Sequence, residues 1–578
     1  MEIKVGVATC GVSAGADKVL FKLKDFYKED SSIQIKEVGC IGLCFLEPIV
    51  EVRYDDGRVE YYGRVTEKDV EILQKEPSKL SHKKIDESVL NIEKYQKRIV
   101  LENAGRISPY NIDDYVKQQG YEALKKALSK KQEEIIKEIK ESGLRGRGGA
   151  GFPTGLKWEF VFKEKSEEKY IICNADEGDP GAFMDRNVLE SDPHRVIEGM
   201  IIAAYTVGAN KGIIYIRAEY PKAIETLKIA LKQAKEKGFL GKNILGSNFS
   251  FDIEIFQGAG AFVCGEETAL IASIEGKRGH PRVRPPFPAQ KGLFGKPTLI
   301  NNVETFANIP WIIRHSAKEF IKYGTDKSKG TKVFSLAGKV KNTGLVEVPF
   351  GITIKDLVFK VGGGIKEDKE VKAVQIGGPS GGCVPKSLFN TQIDYEELKK
   401  VGAIVGSGGV IVLDETSCMV DVAKYFLSFT QKESCGKCTF CRIGTKRMLE
   451  ILERITNGEG KEEDLDKLED LAKKIQENSL CALGKTAPNP VLTTLKYFRD
   501  EYLAHIREKR CPAKVCKALI RVVIDEDKCI GCGACSNVCP TNTIIKLENG
   551  KYRINQDGCI KCESCIGICP TKAIYKDS

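Results

Sequence analysis

The sequence predicts a multidomain protein of mixed α/β and α+β segments, and three observations carry that expectation. With 578 residues the chain is too long for one hydrophobic core, so about three to five domains are expected. From residue 169 onward short apolar runs alternate with helical stretches, the pattern of a parallel sheet flanked by helices. The last sixty or so residues, 519–578, are instead crowded with cysteines at CxxC spacing, too tight for a separate apolar core.

Bulk properties narrow the class. The 21 cysteines fall mostly in clusters, which suits metal ligation in a reducing compartment better than disulfides. A cytoplasmic location is expected, because the opening Met1-Glu2-Ile3-Lys4 is not a signal peptide and no apolar run approaches the roughly 18 residues that span a bilayer. Net charge is +10, from 90 basic against 80 acidic residues spread along the chain. Without a basic and aromatic patch this argues against nucleic-acid binding, though it suits an acidic redox partner.

Residues 1–78 read as a small α/β unit: a strand at 3–8, a helix at 17–26, a strand at 33–38 and a hairpin turning at Asp55-Asp56-Gly57 between 49–52 and 59–62. Cys10, Cys40 and Cys44 fall in loops after strands. The polar, Lys-rich stretch 76–88 reads as a linker, and helices over 98–140 lead into the segment ESGLRGRGGAGFPTGLKWEF at 141–160. Its glycines Gly143, Gly146, Gly148, Gly149 and Gly151 leave backbone amides bare enough for a phosphate to approach closely. Gly146, Gly148 and Gly151 satisfy GxGxxG, but that fingerprint requires a preceding strand, and Leu124, Leu128, Ile135 and Ile139 at helical spacing precede this one. An ordinary dinucleotide turn is therefore not expected. Strands at 169–173 and 212–216 enclose a helix at 196–209, which places Asn174, Asp176 and Glu177 at the carboxyl end of a parallel strand, where such sheets bind ligands.

The short runs 333–336, 344–348 and 351–354 read as strands in a glycine-rich segment, 331–412, and 413–508 turns helical, with Met448, Leu449, Leu452 and Ile455 on one face. Within it Cys435, Cys438 and Cys441, joined by Cys481, fit a [4Fe–4S] cubane on a helical bundle; zinc is the alternative. The tail carries two runs of the bacterial two-cluster kind, each C-x2-C-x2-C-x3-C-P. Because the fourth cysteine crosses over in such pairs, Cys529, Cys532 and Cys535 pair with Cys569, and Cys559, Cys562 and Cys565 with Cys539. Between bundle and tail, His505, Cys511 and Cys516 are either zinc ligands lacking a legible fourth or two surface thiols and a solvated imidazole. Cys173, Cys264, Cys383 and Cys418 stand alone and read as buried thiols.

Four ordered motifs carry a resemblance: GLRGRGGAGFPTGLKW at 143–158, NADEGDPGAFMDR at 174–186, CGEETALIASIEG at 264–276 and PPFPAQKGLFGKPTLINNVET at 285–305. Together they resemble the FMN- and NADH-binding flavoprotein subunit of respiratory complex I, and the iron–sulfur ends resemble most the NAD(H)-oxidising flavoprotein subunit of multimeric, electron-bifurcating iron-only hydrogenases. The resemblance implies five domains: thioredoxin-like at 1–78, FMN/NADH-binding at 98–330, β-grasp at 331–412, a [4Fe–4S] helical bundle at 413–508 and a two-cluster ferredoxin-like domain at 519–578. It assigns Gly146, Gly148, Lys157, Asn174, Asp176, Glu266, Asn301 and Asn302 to FMN, and Phe152, Phe160, Glu177, Asp179, Glu267 and Phe287 to NADH or the shared pocket wall. Hydride transfer needs nicotinamide stacked on the flavin, so the implied catalysis rests on cofactors and no protein acid is required. Cys10, Cys40 and Cys44 match three of the four cysteines that hold a [2Fe–2S] cluster in the related thioredoxin-like domain, but Gly15 stands where the fourth belongs. Loss of that cluster and three-cysteine ligation are both open.

Two departures bear on nucleotide choice: Phe262 replaces the usual Tyr, and Arg284 stands where Lys is common before PPF. The implied activity is NADH:acceptor oxidation, with a hydrogenase catalytic subunit, a small thioredoxin-like [2Fe–2S] subunit and ferredoxin as partners. Rival readings are the flavoprotein of an NAD-dependent formate dehydrogenase, that of an NADP-reducing hydrogenase, and a scaffold paralogue with a decayed flavin site.

Overall fold

The computed structural model describes residues 1–75, 77–90 and 94–578, and in it the chain divides into two compact units. The first comprises Met1–Lys369, Ala373–Val412 and Leu480–Leu483; the second Glu370–Lys372, Leu413–Ser479 and Gly484–Ser578.

The first unit opens with a four-stranded sheet ordered β2-β1-β3-β4, from β1 (Glu2–Gly6), β2 (Gln34–Val38), β3 (Val50–Arg53) and β4 (Val59–Tyr62). β1 runs parallel to β2 and antiparallel to β3, and the helix Ala16–Phe26 buries Val19 and Leu23 against it. The hairpin β3–β4 turns where Gly57 adopts φ +87°, a left-handed conformation that favours glycine. The stretch 76–88, expected as a linker, is packed where described. A 3₁₀ helix spans Pro77–Lys83, Leu80 and Ile85 are buried, and Lys84 bridges to Tyr62. Two apolar residues among the lysines suffice to seat it; residue 76 lies outside the described residues.

The central sheet is wholly parallel and ordered β7-β6-β5-β8, with β5 (Tyr170–Ala175), β6 (Lys211–Arg217), β7 (Asp252–Gly258) and β8 (Thr298–Asn302). The helix Pro193–Val207 is buried almost throughout. Its ends are written in the sequence: Asp192 accepts from Arg195 N, Pro193 opens the first turn and Gly208 closes the last at φ +74°. The helix Val303–His315 packs against it, and both bury the face of the sheet that forms the largest core.

A second sheet, ordered β10-β9-β13-β11-β12, uses β9 (Thr331–Gly338), β10 (Gly344–Pro349), β11 (Val371–Ile376), β12 (Gly382–Pro385) and β13 (Gly409–Asp414). On β10 the buried Glu347 accepts from the amides of Ile99, Val100 and Leu101 at 2.9–3.0 Å, pinning residues 99–101 to this sheet. The expected strand at 351–354 is present only as a short antiparallel bridge, Thr353 to Gln392, with Gly351 N donating to Ile393 O. Thr353 accepts from Asp356 N at 3.0 Å and caps a helical turn from Ile354, which stops the strand there.

The second unit is a helical bundle followed by a small β-rich tail. Met448, Leu449, Leu452 and Ile455 on the helix Thr445–Thr456 are buried as their spacing predicted. In the tail β14 (Arg521–Ile524) pairs with β17 (Ile574–Asp577), and β15 (Ile544–Lys546) with β16 (Tyr552–Ile554), so each pair brings one cysteine run beside the other.

Candidate functional site

The glycine segment forms a closed loop. Its neck is the bridge Arg145↔Pro153, with Gly146 N donating to Phe152 O at 2.8 Å and Thr154 N to Leu144 O at 2.9 Å. The two arginines face inward. Arg147 donates to the carbonyls of Thr331, Arg145 and Lys329, while Arg145 bonds Gly151 O and Glu396 and lies 4.2 Å over the Tyr395 ring. Anion contact therefore falls to the bare amides and to Thr154, whose buried Oγ1 has no hydrogen-bond partner among the described residues and opens the helix Thr154–Lys163. A loop of glycines, an orphaned hydroxyl and a helix N-terminus together fit a phosphate.

The loop meets the strand ends. A side chain at Gly148 would come within 3.0 Å of Asn302 Cβ, so the loop backbone lies close against Asn302. Asn302 caps the helix Val303–His315 and its amide donates to Asp185 at 2.5 Å. Asn301 accepts from Trp158 Nε1 at 3.0 Å, and Asn174 bonds Gly265 O at 2.9 Å. Asp176 faces Arg217, at the end of β6, at 3.9 Å. Glu266 accepts from the amides of Thr268 and Ala269 as the cap of Glu267–Ile274, and Lys157 pairs with Glu267 and donates to Ile300 O at 2.5 Å. Several of the residues assigned to a ligand thus also terminate helices.

The aromatic candidates stand open: Phe152, Phe160 and Phe287 are 45, 45 and 51 % exposed, as flat pocket walls require. Arg284 lies 6.0 Å over Phe287 and about 4 Å from Glu266 and Glu267. Glu177 and Asp185 are buried and Asp179 is half-buried. Glu177 accepts from the amides of Asp185 and Arg186 at 3.0 and 3.1 Å, and Asp179 accepts from Ser407. Burial pushes Asp179 up to about 6, and burial, then the charges of Glu177 and Glu304, hold Asp185 far above the carboxylate range. Sequence reasoning missed Asp185, although it lies inside a quoted motif, and Ser407, which no local signal marks because it arrives from 228 positions away.

All of the cysteines except Cys173, Cys264 and Cys383 sort into four groups. Cys529, Cys532, Cys535 and Cys569 line one hollow, and Cys539, Cys559, Cys562 and Cys565 another, the crossed grouping that the spacing predicted. Cys435, Cys438 and Cys441 lie between the helices Met419–Glu433 and Thr445–Thr456, with Cys441 buried 3.2 Å from Ser434 Oγ; Cys481 is partly buried beyond the helix Glu463–Asn478.

The third group corrects the sequence reading. Cys418, by sequence an isolated thiol, joins His505, Cys511 and Cys516, all four buried and with ligand atoms within 4.8 Å of one another. Cys418 Sγ stands 3.8 Å from Cys516 Sγ and 3.4 Å from His505 Nε2, which is 3.3 Å from Cys516 Sγ. Donors about 2.3 Å (sulfur) and 2.05 Å (nitrogen) from a tetrahedral zinc stand about 3.8 Å (S to S) and 3.6 Å (N to S) apart, so the set fits zinc. His505 Nδ1 bonds Glu501 O at 2.7 Å, which leaves Nε2 as the ligand atom. Hydrogen bonds from Cys418 and Cys516 drive Cys511 down, and those from Cys511 and Cys516 drive Cys418 up.

In the fourth group Cys10, Cys40 and Cys44 lie within 4.8 Å of one another, with Cys40 and Cys44 3.8 Å apart. Cys10 falls to about 4 through hydrogen bonds from Cys40 and Cys44. Gly15 sits at φ +102° with its Cα facing open space, and Ser13 is exposed.

Known proteins match along the chain. Residues 139–311 match the Nuo51 FMN-binding domain, 421–505 the NADH-ubiquinone oxidoreductase-F iron-sulfur binding region and 521–570 a 4Fe-4S dicluster domain. The NADP-reducing hydrogenase subunit HndC of Solidesulfovibrio fructosivorans is 57 % identical over 452 residues, 78 % of this chain and 92 % of that relative. An F-type subunit of the NADH-quinone oxidoreductase of Rhizobium meliloti (strain 1021) is 46 % identical over 415 residues, 72 % of this chain and 99 % of its own. Among solved structures, an NAD+-reducing [NiFe]-hydrogenase in the H2-reduced state matches with TM-score 0.61 and 29 % identity, covering 88 % of this chain and 84 % of its own. No helix among the described residues is long and apolar enough to cross a membrane.

Proposed function

Because the chain belongs to the family of the FMN-binding F-type subunit of NADH-quinone oxidoreductase and its hydrogenase relatives, we propose that it is the NAD(P)H-oxidising flavoprotein subunit of a hydrogenase. The observation that carries this reading is the approach of the glycine loop to the end of β8 at Gly148 and Asn302. Bound there, FMN would accept two electrons as hydride and release them singly to iron–sulfur centres. The protein's part is to position and insulate. Glycine amides and Thr154 take the phosphate, Asn174, Asp176, Glu266, Asn301 and Asn302 hold the flavin, and Lys157 places a cation beside it. Phe152, Phe160 and Phe287 wall the nicotinamide, with Glu177, Asp179 and Glu267 at the nucleotide.

In this reading the three cubanes lie at Cys435, Cys438, Cys441 and Cys481 and in the two crossed tail sets, and zinc joins Cys418, His505, Cys511 and Cys516. The five-domain layout of the resemblance follows. The partners are a hydrogenase catalytic subunit and a small thioredoxin-like [2Fe–2S] subunit in the cytoplasm, with ferredoxin where the complex bifurcates electrons. The test is Cys435→Ser in the FMN-loaded full chain. Anaerobic NADH should still bleach the flavin, while electron delivery to the tail clusters, read by their reduction, should be lost. Loss of flavin bleaching itself would refute the order of entry and exit.

A further inference from the structure

The N-terminal cysteines are one donor short of a cluster's usual four, and the position where the related domain places the fourth cannot supply it. Gly15 has no side chain, and its left-handed φ of +102° would strain a cysteine placed there. We propose that Glu47 is the fourth ligand, so that a [2Fe–2S] cluster is held by Cys10, Cys40, Cys44 and the Glu47 carboxylate. The proposal rests on reading these cysteines as a cluster site.

Four observations converge on Glu47. Its side chain follows Cys44 by three positions on the same loop and is 7 % exposed. Its Oε1 lies 3.8 Å from Cys10 Sγ, the distance that also separates Cys40 from Cys44. Two donors on one tetrahedral metal stand about 3.6–3.8 Å apart, so Glu47 and Cys10 are spaced as co-ligands of one iron, and the three sulfurs, all within 4.8 Å of one another, gather beside them. The carboxylate has no ion pair among the described residues, and on its far side Ile49 N donates to Oε2 at 3.0 Å. The room around it is kept open by glycine. Side chains at Gly6 and Gly11 would come within 3.3 and 3.2 Å of Oε2, inside ordinary contact.

The test compares wild type with Glu47→Ala and Glu47→Cys in the full chain, reconstituted anaerobically with iron and sulfide. Readouts are metal content and the paramagnetic spectrum after reduction, with the cubane signals as a check of folding. Three cubanes hold about 12 irons and the extra cluster raises this to about 14. Wild type should hold about 14 and show a reduced [2Fe–2S] signal. Glu47→Ala should fall to about 12 and lose that signal, and Glu47→Cys should keep both the iron and a signal with shifted g values. If Glu47→Ala keeps about 14 irons and an unchanged signal, or Glu47→Cys leaves the g values unmoved, Glu47 is not a ligand. If wild type itself holds about 12 irons, or a zinc at these cysteines, the underlying cluster reading fails, and the proposal with it.

Discussion

The tail and the Cys418 site each gather four donors, but they are written into the chain in opposite ways. In the tail, three ligands of each set lie within seven residues, and the fourth comes from the other copy of the same motif. The set at Cys418 is assembled from a helix start, a helix end 87 positions later and a connecting segment, and it lies inside the bundle core with Tyr502, Ile506 and Leu519. A site written as a run carries its geometry in its own loop. A dispersed site has geometry only once the surrounding core exists, so its residues serve the fold and the ligand together.

The sharpest way to break that contrast is Cys418→Ala set beside Cys532→Ser. Cys418→Ala should lose the zinc, from about one per chain to almost none, and lower the bundle's unfolding free energy by several kcal/mol. That is a fraction of the roughly 10–16 kcal/mol that structural zinc supplies to small folds, since the bundle also has an apolar core. Cys532→Ser should remove about four irons and leave bundle melting unchanged, because Cys532 is exposed and belongs to a self-contained loop. Metal analysis with calorimetry of both variants decides it. Zinc retained in Cys418→Ala, or an equal loss of stability in Cys532→Ser, would erase the distinction.

The flavin site extends the dispersed class, and a middling effect is expected there. Asn302 caps the helix Val303–His315 and holds Asp185, so Asn302→Ala should cost about 1 kcal/mol of stability without any ligand, the usual worth of a cap. FMN affinity, measured by fluorescence quenching, should fall about tenfold, as for one lost hydrogen bond near 1.4 kcal/mol. Weaker FMN binding with unchanged melting of the unloaded chain would show Asn302 to serve the ligand alone.

The same contrast explains what could be read from the sequence. Both tail sets, the glycine loop after a helix and the apolar face of Thr445–Thr456 were legible because each is a local pattern of spacing. Cys418 looked like a lone thiol because its partners are distant in sequence, and Ser407 beside Asp179 was invisible for the same reason. Glu47 stood in plain view next to Cys44, yet a carboxylate beside a cysteine loop has no fixed spacing rule to mark it. At 351–354 the residues suggested strand, and the Thr353 cap cut it to a single bridge with Gln392.

The smallest expected effect concerns Asp179, a dispersed-site acid whose partner Ser407 comes from the segment just before β13. Burial raises its carboxyl to about 6, above the roughly 3.9 of an unfolded aspartate. The folded chain therefore holds this proton where the unfolded chain has released it. Between about pH 4 and 6 the unfolded state sheds the proton first, so folding loses stability as pH rises through that window, and above it the cost is constant. The ceiling is about 3 kcal/mol from two units at 1.36 kcal/mol each, reduced because the side chain is partly exposed. Asp179→Asn removes the titrating group, so the variant should gain stability over wild type above pH 6 and match it near pH 4, as read by denaturant unfolding of the ligand-free chain. A gain that is the same at pH 4 and pH 7 would mean that burial does not perturb this acid, and that Asp179 answers to the nucleotide rather than to the fold.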